Sequence, residues 1–146
     1  MTFVESIKTV AFKKYATFEG KASRSELWWF LLFTQLFQLI LQYMYAGLSI
    51  TAPLSLAFII SSLIFFIPTL TVSVRRLHDL DKSGKILIPV IVLELILTLD
   101  VYFPGSNSKF ILIIDSISWV LTVYFLIIFM FKGSNKKNKY GSPIKL

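Results

Sequence analysis

The sequence predicts an all-α, polytopic membrane protein: four transmembrane helices in two antiparallel hairpins, preceded by an amphipathic interfacial helix. Three observations predict it. The 146 residues are 55% hydrophobic and 16% charged, where a soluble domain is roughly 45–50% apolar and about 25% charged. Long apolar runs, two of them free of charge, alternate with short polar ones. Of the fifteen lysines and arginines, fourteen fall on one side of a membrane crossed four times, as the positive-inside rule requires.

The first 22 residues read as an amphipathic helix. Phe3, Ile7, Val10, Ala11, Tyr15 and Phe18 recur at three- and four-residue spacing, with Lys8, Lys13 and Lys14 elsewhere on the wheel. Such a helix either lies on the inner leaflet or packs against the cytoplasmic end of the bundle. No signal peptide is expected, because the first apolar run follows 26 residues that include acids and exceeds an h-region in length.

The spans are placed at 24–47, 53–74, 85–102 and 109–131, in a single membrane domain covering 1–146. Leu27–Gly47 and Leu54–Val74 are charge-free runs of 21 residues, about 31 Å of helix and enough to cross a bilayer core. Phe110–Phe131 carries one carboxylate. Ile86–Val101 is short and has Glu94 near its middle; a central acid costs on the order of 3 kcal/mol, which its aliphatic residues roughly balance. Charge fixes the count. Five basic residues precede the first span, none lies in the turn Leu48–Pro53, four lie in Arg75–Lys85, one in Tyr102–Lys109 and five in the tail. Four spans put both termini in the cytoplasm, and three would strand the basic tail outside. Residues 132–146 are expected to form a flexible basic tail.

The net charge of +7 does not point to nucleic acid. The basic residues form three blocks, each beside an apolar run, the pattern of juxtamembrane segments facing an anionic leaflet. Without cysteines, the chain has no disulfides, thiolate metal sites or cysteine nucleophiles.

Two stretches hold most of the chemistry. In GKASRSELWW (Gly20–Trp29), Gly20 is expected to end the surface helix, Ser23 to cap the next, and Glu26 to complete a capping box. Trp28 and Trp29 then fall at headgroup level, and Arg24 is left to pair with Glu26 or to bind a lipid phosphate. RRLHDLDKSG (Arg75–Gly84) reads as a cytoplasmic elbow, with Ser83 capping the third helix and Gly84 relieving the turn. Arg75 and Arg76 are expected to hold phosphate headgroups or to pair with Glu26, Asp79 or Asp81. His78, Asp79 and Asp81 are competent metal ligands, but no second histidine or further acid joins them, so no metal or other cofactor is expected. Nor is a nucleophile legible beside a His78–Asp79 acid–base pair.

Within the spans, Gln35, Gln38 and Gln42 fall on one stripe of the first helix and are expected to face other helices. Glu94 is the deepest ionisable group, expected to be neutral or hydrogen-bonded to these glutamines. Asp100 and Asp115 lie nearer the outer face, where they are expected to share a wet pocket. Pro68 removes one backbone bond from the second helix.

GKASRSELWWF, VRRLHDLDKSG and GSNKKNKYGSP together resemble the family catalogued as domain of unknown function 805, small four-helix bacterial inner-membrane proteins of the YhaH type. The resemblance covers nearly the whole chain. It is carried by Gly20, Arg24, Glu26 and Trp28, then by Arg75, Arg76, Leu77, His78, Asp79, Ser83 and Gly84, and in the tail by Asn138, Tyr140 and Gly141. Lys21 stands where the family has arginine, Leu27 where it has an aromatic residue, and Pro143 arrives one residue early. The resemblance implies location and topology, and it supplies no mechanism.

Taken together, the residues read as a non-enzymatic bacterial plasma-membrane protein. Its cytoplasmic cluster of Arg24, Glu26, Arg75, Arg76, His78, Asp79 and Ser83 is suited to binding anionic inner-leaflet lipid, a membrane-protein partner or a second copy. Two rivals stand beside it: a small oligomeric proton or cation transporter using Glu94, Asp100 and Asp115, and a membrane enzyme acting on lipid phosphates with His78 and Asp79.

Overall fold

The structure is a computed structural model that describes residues 1–48, 51–102, 108–134, 137–142 and 144. Residues 49–50 of the first expected turn, 103–107 of the third, and Pro143 lie outside the described residues. All the named elements are helical. They are α1 (Phe3–Lys8), continued by a π-helical turn (Thr9–Lys13), then α2 (Arg24–Leu48) and α3 (Thr51–Asp79). A 3-10 turn (Gly84–Leu87) leads into α4 (Ile88–Tyr102), and α5 (Ser108–Met130) follows.

Among the described residues, three stretches are long and apolar enough to cross a membrane: Arg24–Met44, Ile59–Asp79 and Ser108–Met130. The expected span at 85–102 is divided instead. Its first turn is wound as a 3-10 helix, leaving fifteen α-helical residues, about 22 Å against a core of about 30 Å. Helix α3 has the opposite mismatch. Its 29 residues reach about 43 Å.

Helix α1 starts with a capping box. The Thr2 hydroxyl accepts from the Glu5 N–H at 3.3 Å, and the Glu5 carboxylate accepts from the Thr2 N–H at 2.8 Å. These bonds, the one from the Thr2 backbone first, hold the Glu5 carboxyl below its usual range. The helix expected over residues 1–22 stops at Lys13, because the segment folds back against α2 and α3. Ser6 donates to the Glu26 carbonyl at 2.6 Å, Val10 is fully buried, and Phe3 meets the Trp29 ring edge-on at 5.8 Å. Of the two placements the sequence left open, packing against the bundle is the one these contacts make.

Tyr15 explains why the chain leaves the helix there. Pro68 has no N–H to offer the carbonyl four residues back, that of Ile64. The Tyr15 hydroxyl donates to that carbonyl at 2.7 Å, in place of the missing backbone bond. Thr71 ties down the same segment by donating to the Tyr15 carbonyl at 3.1 Å.

Helix α3 ends in a Schellman motif. The Lys82 N–H donates to the Leu77 carbonyl at 2.8 Å and the Asp81 N–H to the His78 carbonyl at 3.2 Å. The left-handed residue is Asp81, with φ 58°. Aspartate tolerates this region better than most residues with a Cβ. Gly84 is needed for proximity: a Cβ there would lie 2.6 Å from Val74 Cγ1. Ser83 accepts from the Lys85 N–H, capping the 3-10 turn as its place in the sequence suggests. Pro89 then sits in the first turn of α4, where its missing N–H costs little.

The core lies at one end of the bundle. Leu27 and Phe30 of α2, Val72 and Leu77 of α3, Leu87, and Phe125, Ile128 and Phe129 of α5 form one buried cluster with Val10 and Ala22. Large apolar residues elsewhere on the helices, such as Leu39, Leu63, Leu95 and Val120, are exposed, as a lipid-facing surface requires.

Candidate functional site: a capped polar end

The buried end of the bundle carries the charges. Arg75 is fully buried, and its Nη1 donates to Glu26 Oε1 at 2.5 Å. Its Nε and Nη2 are buried without a hydrogen-bond partner among the described residues. The Arg75 carbonyl accepts from the Ala22 N–H at 3.0 Å, so the strand of chain leading into α2 is laid along α3. Only half of the expected capping box at Ser23 forms. The Ser23 hydroxyl accepts from the Glu26 N–H at 3.1 Å, but the Glu26 carboxylate turns to Arg75.

Arg76 does different work. Its Nη1 pairs with Asp79, and its Nε and Nη2 donate to the carbonyl of Phe129, with Nη2 also reaching that of Phe131. Arg24 Nη1 reaches the carbonyl of Met130, between them, at 3.5 Å. The last carbonyls of a helix have no partner within it and carry partial negative charge. Two arginines, one from α2 and one from α3, therefore cap the end of α5 and join it to both helices. Arg24 does not pair with Glu26.

His78 and Asp79 do not form an acid–base pair. His78 Nδ1 lies 3.2 Å from the Gly20 carbonyl, an arrangement that calls for the proton on Nδ1. The imidazole stacks on Tyr140 at 3.8 Å and 6°. Asn138 donates to the His78 carbonyl at 2.9 Å and accepts from the Tyr140 N–H at 3.0 Å. The Ser134 N–H donates to the Asp79 carbonyl at 2.8 Å. A Cβ at Gly133 would collide with the Asp79 carboxylate. The described part of the tail, expected to be flexible, is thus folded onto the elbow. Asn138 and Gly141 exchange backbone bonds at 3.1 Å to close its turn.

These contacts leave a cavity of about 260 Å3 at the start of α2. Ser23, Arg24, Ser25, Arg76, Asp79, Lys132 and Ser134 line it. The elbow and α2 residues in it were legible in the sequence. Lys132 and Ser134 were not, because a basic tail carries no periodicity that tells where it docks. Ser83 lies outside the cavity lining.

The polar groups of the spans separate into two sets. Gln38 donates to the Ser62 hydroxyl at 3.1 Å and accepts from Ser61 at 3.4 Å, while Gln35 and Gln42 are exposed. Glu94 is bonded to α5, not to the glutamines: Ser118 donates to its Oε1 at 2.5 Å. Asp115 shares a cavity of about 270 Å3 with Glu94 and Ser118. Asp100, its expected partner, is not in that lining; its Oδ1 is buried without a partner among the described residues. No group of three or more metal-competent side chains occurs among the described residues.

Comparison with known proteins gives a membrane-protein family. The chain is similar to the inner membrane protein YhaI of Escherichia coli strain K12, at 26% identity over 134 residues, covering 91% of this chain and 90% of that protein. The inner membrane protein YhaI of Escherichia coli O157:H7 matches at the same identity and coverage. No solved structure matches. Residues 15–142 match the family described as "Protein of unknown function (DUF805)", and the chain is therefore a membrane protein belonging to that family.

Proposed function

We propose that the protein crosses the inner membrane four times, with both termini in the cytoplasm, and that its cytoplasmic cavity binds the phosphate of anionic lipid headgroups. The fourteen-to-one distribution of basic residues supports the topology. Helix α4 completes the fourth crossing with the help of the 3-10 turn before it and local thinning of the bilayer. Helix α3 exceeds the hydrocarbon thickness by about 13 Å. Its polar end from Thr71 onward accordingly stands at or above the headgroups, and Trp29 marks the boundary on α2.

The observation that carries the binding reading is the charge left over in the cavity. Arg76 and Asp79 neutralise one another. Arg24 and Lys132 remain exposed on the same cavity wall, beside the N-terminal turn of α2 and the Ser23 and Ser25 hydroxyls. A helix N-terminus with two cations and hydroxyl donors suits a phosphate oxyanion.

The test is lipid retention. Native mass spectrometry of the full chain should show phosphatidylglycerol retained over phosphatidylcholine. The paired change Arg24→Gln and Lys132→Gln should abolish that preference, whereas Lys8→Gln, away from the cavity, should not. Unchanged preference in the paired variant refutes the assignment. Reporter fusions after Gly47 and Ser106 should read external, and fusions after Lys82 and Lys139 internal.

A further inference from the structure

The polar residues inside the spans form two uncovered faces. On α2, Gln35 and Gln42 lie within about 60° of Gln38 around the helix. Gln38 is turned to the serines of α3, and the other two are exposed. On the second hairpin, Glu94 and Asp115 are also exposed, on the wall of one cavity. Hydrocarbon provides neither amides nor carboxyl groups with a hydrogen-bond partner.

The two faces lie at the same depth. The contact of Arg24 with Met130 gives a common reference level for α2 and α5. At 1.5 Å per residue, Gln35 and Gln42 lie about 16 and 27 Å outward from it. Ser118, to which Glu94 is bonded, lies about 18 Å outward, and Asp115 about 22 Å. The acid pair falls within the depth range of the amides. Their chemistry is complementary as well, since an amide NH2 donates to a carboxyl oxygen and the amide oxygen accepts from a protonated carboxyl.

We propose that these faces bind one another between two copies of the chain: the glutamine stripe of α2 in one copy docks on the Glu94–Asp115 face of α4 and α5 in the other. Each copy carries both faces. A second copy therefore supplies each face with the partner it lacks, and where both faces lie to the same side of the copy a two-fold axis along the membrane normal closes the pair as a dimer. Trp119, 65% exposed on the same cavity wall, becomes an aromatic contact at the interface.

The absence of native cysteine leaves the chain well suited to site-specific probes, and the test places a photoreactive one at the proposed seam. Two differently tagged full-length copies are co-expressed in native membranes, one carrying Trp119→benzoylphenylalanine. Illumination should join the two tags in a species of twice the chain mass, with the cross-link mapping to the peptide that contains Gln35–Gln42 of the other copy. Gln35→Leu with Gln42→Leu in the acceptor copy should lower the yield by about tenfold. Leu63→Ala, on exposed apolar surface of α3, should leave it unchanged, and both acceptors should accumulate and melt as the parent does. Capture of lipid alone, of a different protein, or of the same chain overturns the proposal, as does a yield indifferent to the two leucines. Lipid binding by Arg24 and Lys132 is not read by this assay, so either proposal can fail without the other.

Discussion

The pair of Arg75 and Glu26 gives the sharpest quantitative prediction. Arg75 is fully buried, Glu26 is 5% exposed, and their side chains meet at 2.5 Å. Two of the three guanidinium nitrogens already lack a partner among the described residues, so Glu26 is the anion on which the buried cation depends. Glu26→Leu leaves that cation unmatched, and Arg75→Met leaves the carboxylate unmatched. Breaking a buried pair from one side costs about 3–5 kcal/mol, whereas replacing both partners with apolar groups of similar volume is close to neutral. Each single change should therefore lower the melting temperature in detergent by about 10 °C, at roughly 2–4 °C per kcal/mol for a chain of this size. The double variant should recover most of the loss, a coupling of about 4 kcal/mol or more. The assay is thermal unfolding of the purified full chain, followed by circular dichroism and by loss of monodisperse protein. If the double variant loses the sum of the two single losses, the groups act independently and the pair does not hold the polar end together.

The other predictions concern how the N-terminal segment, the elbow and the tail lock onto that end. Tyr15→Phe orphans the Ile64 carbonyl and should cost about 1 kcal/mol; in a Pro68→Ala background, where residue 68 regains its N–H, the same change should cost less than half as much in unfolding measurements. Asp81→Gly should stabilise by about 0.5–1 kcal/mol, because only the backbone conformation at φ 58° is relieved, and a lower melting temperature would mean that the Asp81 side chain bears a contact of its own. Gly133→Ala drives a methyl into the Asp79 carboxylate and Gly84→Ala drives one against both methyls of the stiff Val74 side chain, and each should cost about 1–3 kcal/mol, read in the same melts. Asn138→Ala or Tyr140→Ala should release the tail from His78 and speed trypsin cleavage after Lys137 and Lys139 without moving the melt of the spans; unchanged cleavage would show the tail held by other contacts.

The sequence by itself determined the class of the molecule, a membrane protein of apolar helices. That class depends on composition and on run length against bilayer thickness, which are local or summed properties. Motif spacing also identified the residues that converge at the polar end, since Arg24 and Glu26 start one helix and Arg75 to Asp79 end the next. The capping box at Thr2 and Glu5 was equally legible in its four-residue spacing, although the segment read only as an amphipathic stripe. Partner choice was decided by tertiary structure. Adjacent arginines in a helix point about 100° apart, so Arg75 faces Glu26 and the N-terminal segment while Arg76 faces Asp79 and the end of α5. No spacing rule separates those two fates. The same holds for Tyr15 meeting the carbonyl that Pro68 frees 49 residues away, and for the tail stacking Tyr140 on His78. Hydrophobic periodicity records which face of a helix avoids water, but it carries no information about which distant carbonyl, ring or carboxylate will be brought against it; that is fixed only when the helices pack and every buried donor and acceptor has to find its partner at once.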